Sequence, residues 1–173
     1  MKLASLMAGA ATRATLLALL AAGWLVTGAT RSWGAASILH VDTPQVTLTP
    51  SAQDYANDYV EATGVAGIRI RVKTNNATGL ILKVRSSGAG NTIRLGDVLV
   101  RTLTPPGSGG VAVNRWTAVA LTDLNLWSVA TGSNQFITIG ADTRVTNLGT
   151  YGDQVSAGFT YYSHSLVFTV ISP

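Results

Sequence analysis

Cysteine is absent from this 173-residue chain, so no disulfide framework holds the fold, and stability has to come from packing and hydrogen bonds. Histidine is nearly as scarce, with only His40 and His164. A nucleophile and its base must meet in space with a third group orienting the base. His164 and Ser165 are adjacent, and neighbours on a strand point to opposite faces, which argues against a hydrolytic triad and for a protein that is not an enzyme. No cofactor motif is found either. The acids Asp54, Asp58 and Glu61 cluster in "DYANDYVE", but their spacing matches no ion-binding loop, and a solvated turn ahead of a strand explains them better.

Long apolar runs are also missing. The longest, Ala14 to Val26, falls short of the about 20 residues that a membrane helix needs. Preceded by Lys2 and Arg13 and followed by small residues, it reads as a secretory signal peptide over residues 1–36, cleaved after Ala36 or, alternatively, after Ala29. A secreted or cell-surface product with no stable membrane insertion is the expectation. The full chain holds 12 Lys and Arg against 8 Asp and Glu. Three bases, Lys2, Arg13 and Arg31, leave with the leader and no acid does, so nine bases face eight acids in the processed chain, a net charge of +1. That near-balance argues against nucleic-acid binding. The remaining length suits one domain with a sizeable core.

Residues of period two dominate that remainder. In "GIRIRVKT" Ile68, Ile70 and Val72 alternate with Arg69, Arg71 and Lys73, and in "GLILKVRS" Leu80, Leu82 and Val84 alternate with Ile81, Lys83 and Arg85. Asn75 to Gly79 between them is turn chemistry, so the two runs are expected to pair as a hairpin. Further strands are expected at 45–49, 58–63, 92–95, 97–103, 116–121, 124–130, 135–140, 143–148 and 165–171, punctuated by "SSGAGN", "TPPGSGG" and "TGSN". Strands this short and regularly spaced predict an all-β fold, a single antiparallel immunoglobulin-like β-sandwich over residues 51–173. Trp116 and Trp127 sit in apolar patterns and are expected in the core, with an exposed sugar-stacking platform as the alternative. Asn76-Ala77-Thr78 is a formal glycosylation sequon on the predicted turn.

Two features bear on function. If the hairpin forms, Arg69, Arg71, Lys73, Lys83 and Arg85 share one polar face. Like charges across a sheet are unfavourable, so that face predicts either an anionic partner or simple coverage by long alkyl stems. The second feature is "SILHVDTPQVTLTP", residues 37–50, an alternating strand-like extension at the free end of the processed chain. Leu39 and Val41 share one face, Pro44 interrupts, and Val46 and Leu48 share a face before Pro50. Burying such a side chain is worth about 1.5–3 kcal/mol, while fixing backbone costs about 1–2 kcal/mol per residue. The extension therefore needs a sheet edge, its own or a neighbour's.

The ending "AGFTYYSHSLVFTVISP", where Gly158, Phe159 and Thr160 precede an apolar strand with Leu166, Phe168 and Val170, together with "VTLTP" and "IGADTRVTNL", resembles the secreted bacterial sandwich subunits of the spore coat protein U and fimbrial type. The resemblance implies a structural, polymer-forming or adhesive role. Many fimbrial subunits carry a disulfide, and this chain does not. The combined expectation is a structural subunit of an extracellular fibre, pilus or coat, a homo-oligomer or filament assembled with or without a chaperone. Leu39, Val41, Val46 and Leu48 would be donated to a groove beside Leu166, Phe168 and Val170 of another copy. The rival is a monomeric adhesin that binds carbohydrate through aromatics such as Tyr161 and Tyr162, or an anionic surface polymer through the basic face.

Overall fold

The computed structural model describes residues 37–88, 91–105, 107–155 and 162–173. The expected signal peptide, and Tyr161 with the Gly158-Phe159-Thr160 motif, lie outside them. Residues 35–173 make one compact unit, an all-β sandwich of antiparallel sheets with two short helices. The first sheet has the order β1 (Ser37–Val41), β3 (Ile68–Thr74), β9 (Ile137–Thr146), β5 (Val98–Thr102), β7 (Thr117–Ala118), and β2 (Tyr59–Ala62) also pairs with β9. The second has the order β10 (Leu166–Ile171), β4 (Leu80–Ser86), β8 (Leu124–Val129), β6 (Val111–Ala112).

The runs 68–74 and 80–86 are strands, but they do not form the expected hairpin. β3 pairs with β1 and β9, β4 pairs with β10 and β8, and residues 75–79 arch from one sheet to the other. Both runs carry an apolar face that must be covered, and stacking face to face across the sandwich, about 10 Å apart, covers both at once. Ile70, Val72, Leu82 and Val84 are accordingly shut off from solvent, together with Val100, Leu126, Ile139 and Trp127. Gly79 makes the arch possible. Its φ is +80°, and a Cβ there would stand 1.9 Å from the Val129 carbonyl oxygen.

β9 joins two of the expected strands into one of ten residues. Its first half pairs with β3 and its second half with β2, while β5 runs along the opposite side. Asp142, which lies between the two expected strands, faces outward and accepts hydrogen bonds from the Gly64 amide at 2.9 Å and Arg101 Nε at 3.0 Å. Residues 45–49 and 92–95 are not strands. Pro44 and Pro50 cannot donate to a ladder and bracket the first of these segments.

Helix α1 (Ala52–Asn57) starts at a capping box, in which the Ser51 hydroxyl accepts from the Asp54 amide and the Asp54 carboxylate accepts from the Ser51 amide at 2.7 Å. Helix α2 (Leu148–Val155) follows β9. Leu148 and Tyr151 of α2 pack with Val60 and Val145 as a second, smaller core. Among the described residues no helix is long and apolar enough to cross a membrane.

The arch yields a contrast between two glycines. Gly79→Ala should lower stability by about 2 kcal/mol or more, since strained backbone and a clash combine, whereas Gly64→Ala, with φ +58° but open space around it, should cost about 1 kcal/mol. Urea midpoints of the two variants check the order.

Candidate functional site: the first strand and the edge it occupies

The extension divides into a strand and a tether. β1 pairs antiparallel with β3 of its own chain, Leu39 opposite Val72 and Val41 opposite Ile70. Within the single chain a free sheet edge on its own sandwich, the side of β3 away from β9, supplies the backbone partners. Leu39 packs on the main core, while Val41 is 36% exposed. Residues 42–51 form no regular element. Within them Val46 is half-buried, and Leu48 packs against the second core beside Val60 and Tyr151. The segment is thus held at two separated points.

The expected acceptor strand, β10, is hydrogen-bonded to β4 and is the edge of the second sheet. Leu166, Phe168 and Val170 turn inward onto the same core as Leu39. β1 and β10 occupy the same side of the sandwich, one at the edge of each sheet, and the Ser37 and Ser172 hydroxyls lie 3.0 Å apart. The first strand and the last are therefore neighbours within one molecule, through side chains rather than a backbone ladder.

An ion pair fastens the far end of β1. Arg71 Nε and Nη2 donate to the Asp42 carboxylate at 2.7 and 2.8 Å, and the Asp42 amide donates to the Arg69 carbonyl at 2.9 Å. The Arg71 hydrogen bonds hold the Asp42 carboxyl below the usual carboxylate range, with its positive neighbours Arg71, Arg69 and His40 adding to the effect and partial desolvation opposing it.

The shared basic face does not exist. Because β3 and β4 lie in different sheets, Arg69, Arg71 and Lys73 project from one outer face of the sandwich, and Lys83 and Arg85 from the other. Lys83 and Arg85 meet Asp123 at 3.5 and 3.8 Å. Arg71 and Lys73 lie over the Phe136 ring, 5.4 and 5.6 Å from its centroid, with the His40 ring 5.6 Å away on β1.

Trp127 is buried, as expected of a core residue, but Trp116 is not in the core. Its neighbour Thr117 faces inward with Val100, which turns Trp116 outward, where the guanidinium groups of Arg101 and Arg144 each lie 4.4 Å from its ring. Arg144 also stacks on Tyr59 and pairs with Glu61 at 2.7 Å. That ladder occupies the indole that a sugar platform would have used.

The remaining candidates have structural partners. Tyr162 is half-buried and donates to the Tyr151 carbonyl at 2.6 Å. His164 Nδ1 lies 3.2 Å from the Ile93 carbonyl, and the Ser165 amide donates to Asn91 Oδ1. Asp54 serves the α1 cap, Asp58 accepts from the Gly149 amide, and Glu61 pairs with Arg144, so the three acids do not converge. Asn76 Oδ1 caps the arch by accepting from the Thr78 amide at 3.2 Å. Sequence reasoning missed the buried Asp97, which accepts from the Tyr151 hydroxyl and from Asn147 Nδ2. No sequence signal links residues fifty positions apart, although a lone acid before an apolar strand was a hint.

Comparison with protein-family models, curated proteins and solved structures finds no match for the chain.

Two pH responses follow. Asp42 is depressed in the folded chain, so its contribution to holding β1 is present above the ordinary carboxylate pKa of about 4 and is lost as pH falls through its folded value. Hydrogen exchange in β1 should accelerate relative to β9 on acidification, and Asp42→Asn should abolish that dependence. Tyr151 is pushed up to about 12 by burial first and by its bond to Asp97 second. The unfolded chain releases this proton near 10, so the stabilisation is complete below pH 10 and declines as pH rises towards 12. Tyr151→Phe should flatten that alkaline decline in denaturant melts.

Proposed function

We propose that the chain is an exported, non-enzymatic structural domain, a subunit of an extracellular fibre or coat whose copies join by exchanging β1. The observation that carries the reading is the way β1 is held. It is a five-residue edge strand with one hydrogen-bonded neighbour, and ten residues without regular structure tie it to the rest. Any contact that β1 makes with its own β3 can be made equally with the β3 of another copy, because the sequences are identical. Exchange of an identical element is a low-cost route to association, and head-to-tail exchange that does not close generates a filament.

The slot and the strand match each other in the ways that strand addition needs. Ile70 and Val72, fully buried, stand beside Val41 and Leu39 across the ladder, so vacating the edge uncovers the flank of that apolar row, which must be covered again. Main-chain bonds to β3 supply affinity, Leu39 supplies the inward anchor, and the Arg71–Asp42 pair sets register. The acceptor in this reading is β3, with β10 as the adjoining wall.

Refolding the 37–173 chain at high concentration should yield a ladder of oligomers that persists after dilution. A chain lacking 37–49 should not form the ladder, and should take up a synthetic peptide of residues 37–49 in place of its own strand, read by size-exclusion chromatography and fluorescence anisotropy. Leu39→Asp in the peptide should abolish uptake, since an unpaired buried carboxylate is costly. An identical ladder from the truncated chain would overturn the reading, as would a full-length chain that stays monomeric throughout.

A further inference from the structure

We propose that the outer face of the sheet carrying β1 and β3 is a docking strip for a linear carboxylated polysaccharide, with one sugar ring seated over Gly140 and its carboxylates held by Arg69, Arg71 and Lys73. This inference stands apart from strand exchange, since it uses the outer side chains of β3 and β9 and not the edge.

Two of the three cations on this strip, Arg69 and Lys73, reach no carboxylate among the described residues, and the third, Arg71, holds Asp42. Elsewhere among the described residues, Lys83, Arg85, Arg101 and Arg144 each reach a carboxylate, and the other two, Arg94 and Arg115, stand singly on loops and not in a row. On the strip, Lys73 rests on the neutral Phe136 ring and Arg69 is exposed with no carboxylate partner among the described residues, while the two acids nearby are already engaged, Asp42 by Arg71 and Asp142, in the hollow beside Gly140, by Arg101 and the Gly64 amide. Alternate residues of a strand recur at about 6.7 Å, so the three cations form a straight row. A stiff polymer bearing regularly repeated anions suits such a row better than a compact ligand does.

The ground beside the row is hollow. Across the ladder from Arg69 and Arg71 stand Gly140 and Thr138 of β9, and a Cβ at Gly140 would have no atom within 4 Å. A shallow cavity of about 240 Å³ opens there, with Thr138, Gly140 and Asp142 on its floor and Leu103 and Pro105 on its wall. Hydroxyl and apolar surfaces side by side suit the polar rim and C–H faces of a sugar ring. Asp42 shows which anion the row accepts: Arg71 already grips a carboxylate there through two nitrogens, the geometry in which guanidinium recognises this group. Single-stranded nucleic acid is disfavoured, because binding it calls for aromatic faces free to stack bases, and Phe136 is occupied by cations.

Titration of the 37–173 chain with polygalacturonate oligomers at low ionic strength, followed by calorimetry and amide chemical shifts, tests the proposal. Arg69→Gln and Lys73→Gln should each weaken binding about two- to fivefold, the range for one exposed charge pair, and added salt should weaken it further. Gly140→Val fills the hollow without altering charge, in a strand position with room for it, and should weaken binding while leaving the urea midpoint intact. Asp42→Asn frees Arg71 and should strengthen binding. Lys83→Gln and Arg85→Gln, on the opposite sheet, should leave it unchanged. Absence of binding, equal losses from the opposite sheet, indifference to Gly140→Val, or equally tight binding of neutral dextran or an oligothymidylate would each overturn the proposal.

Discussion

The structure depends on the stacking of β3 against β4. Two short strands that carry apolar residues on one face and basic residues on the other can pair side by side or turn face to face. Side by side they would leave Ile70, Val72, Leu82 and Val84 in need of a third layer. Face to face they cover one another, and each sheet is free to recruit further strands at its edges. The arch at 75–79, with Gly79 in a conformation that other residues adopt only with strain, fixes that choice. From it follow the separation of the basic residues onto two outer faces and the free edge of β3 that receives β1.

The outer faces then obey local electrostatics. Lys83 and Arg85 share Asp123, while Arg101 and Arg144 hold Trp116 and are themselves held by Asp142 and Glu61. Such exposed pairs are individually weak. Joined as a ladder across β2, β9, β5 and the residue before β7, they order long side chains over the sheet and keep the indole from solvent at little cost. On the part of the same face over β3, Phe136 lies under Arg71 and Lys73, and Asp42 is the carboxylate that Arg71 reaches. The two ends of one sheet therefore present different surfaces: one with its charges matched internally, the other with Arg69 and Lys73 reaching no carboxylate among the described residues.

Much of this was legible in the residues. Period-two alternation located β3, β4, β5, β8 and β10 because each buries one face only, and alternation reports directly on that. Trp127 was recognisable as core from its apolar neighbours. Alternation carries no information about which strand lies beside which, and the hairpin expected across residues 75–79 was wrong for that reason. It also misread β9 as two strands, because Gly140 and Asp142 look like a break until Gly64 and Arg101 are seen to satisfy the carboxylate. Trp116 was misplaced since inward and outward faces at the end of a two-residue strand can be assigned only from its partner, here Val100. The Asp97–Tyr151 pairing was not legible, since nothing local links residues 54 positions apart.

By itself the sequence determined composition and local periodicity: no cysteine, hence a fold held by packing; short alternating runs, hence antiparallel sheets. These are properties of neighbouring residues, and neighbouring residues are enough to set them. Only the tertiary structure decided that β1 returns to its own β3, that five basic residues divide between opposite faces, and that a hollow over Gly140 lies beside three of them. Each of those depends on which strands become neighbours, and that is settled by the burial of distant apolar faces against one another rather than by any stretch of chain alone.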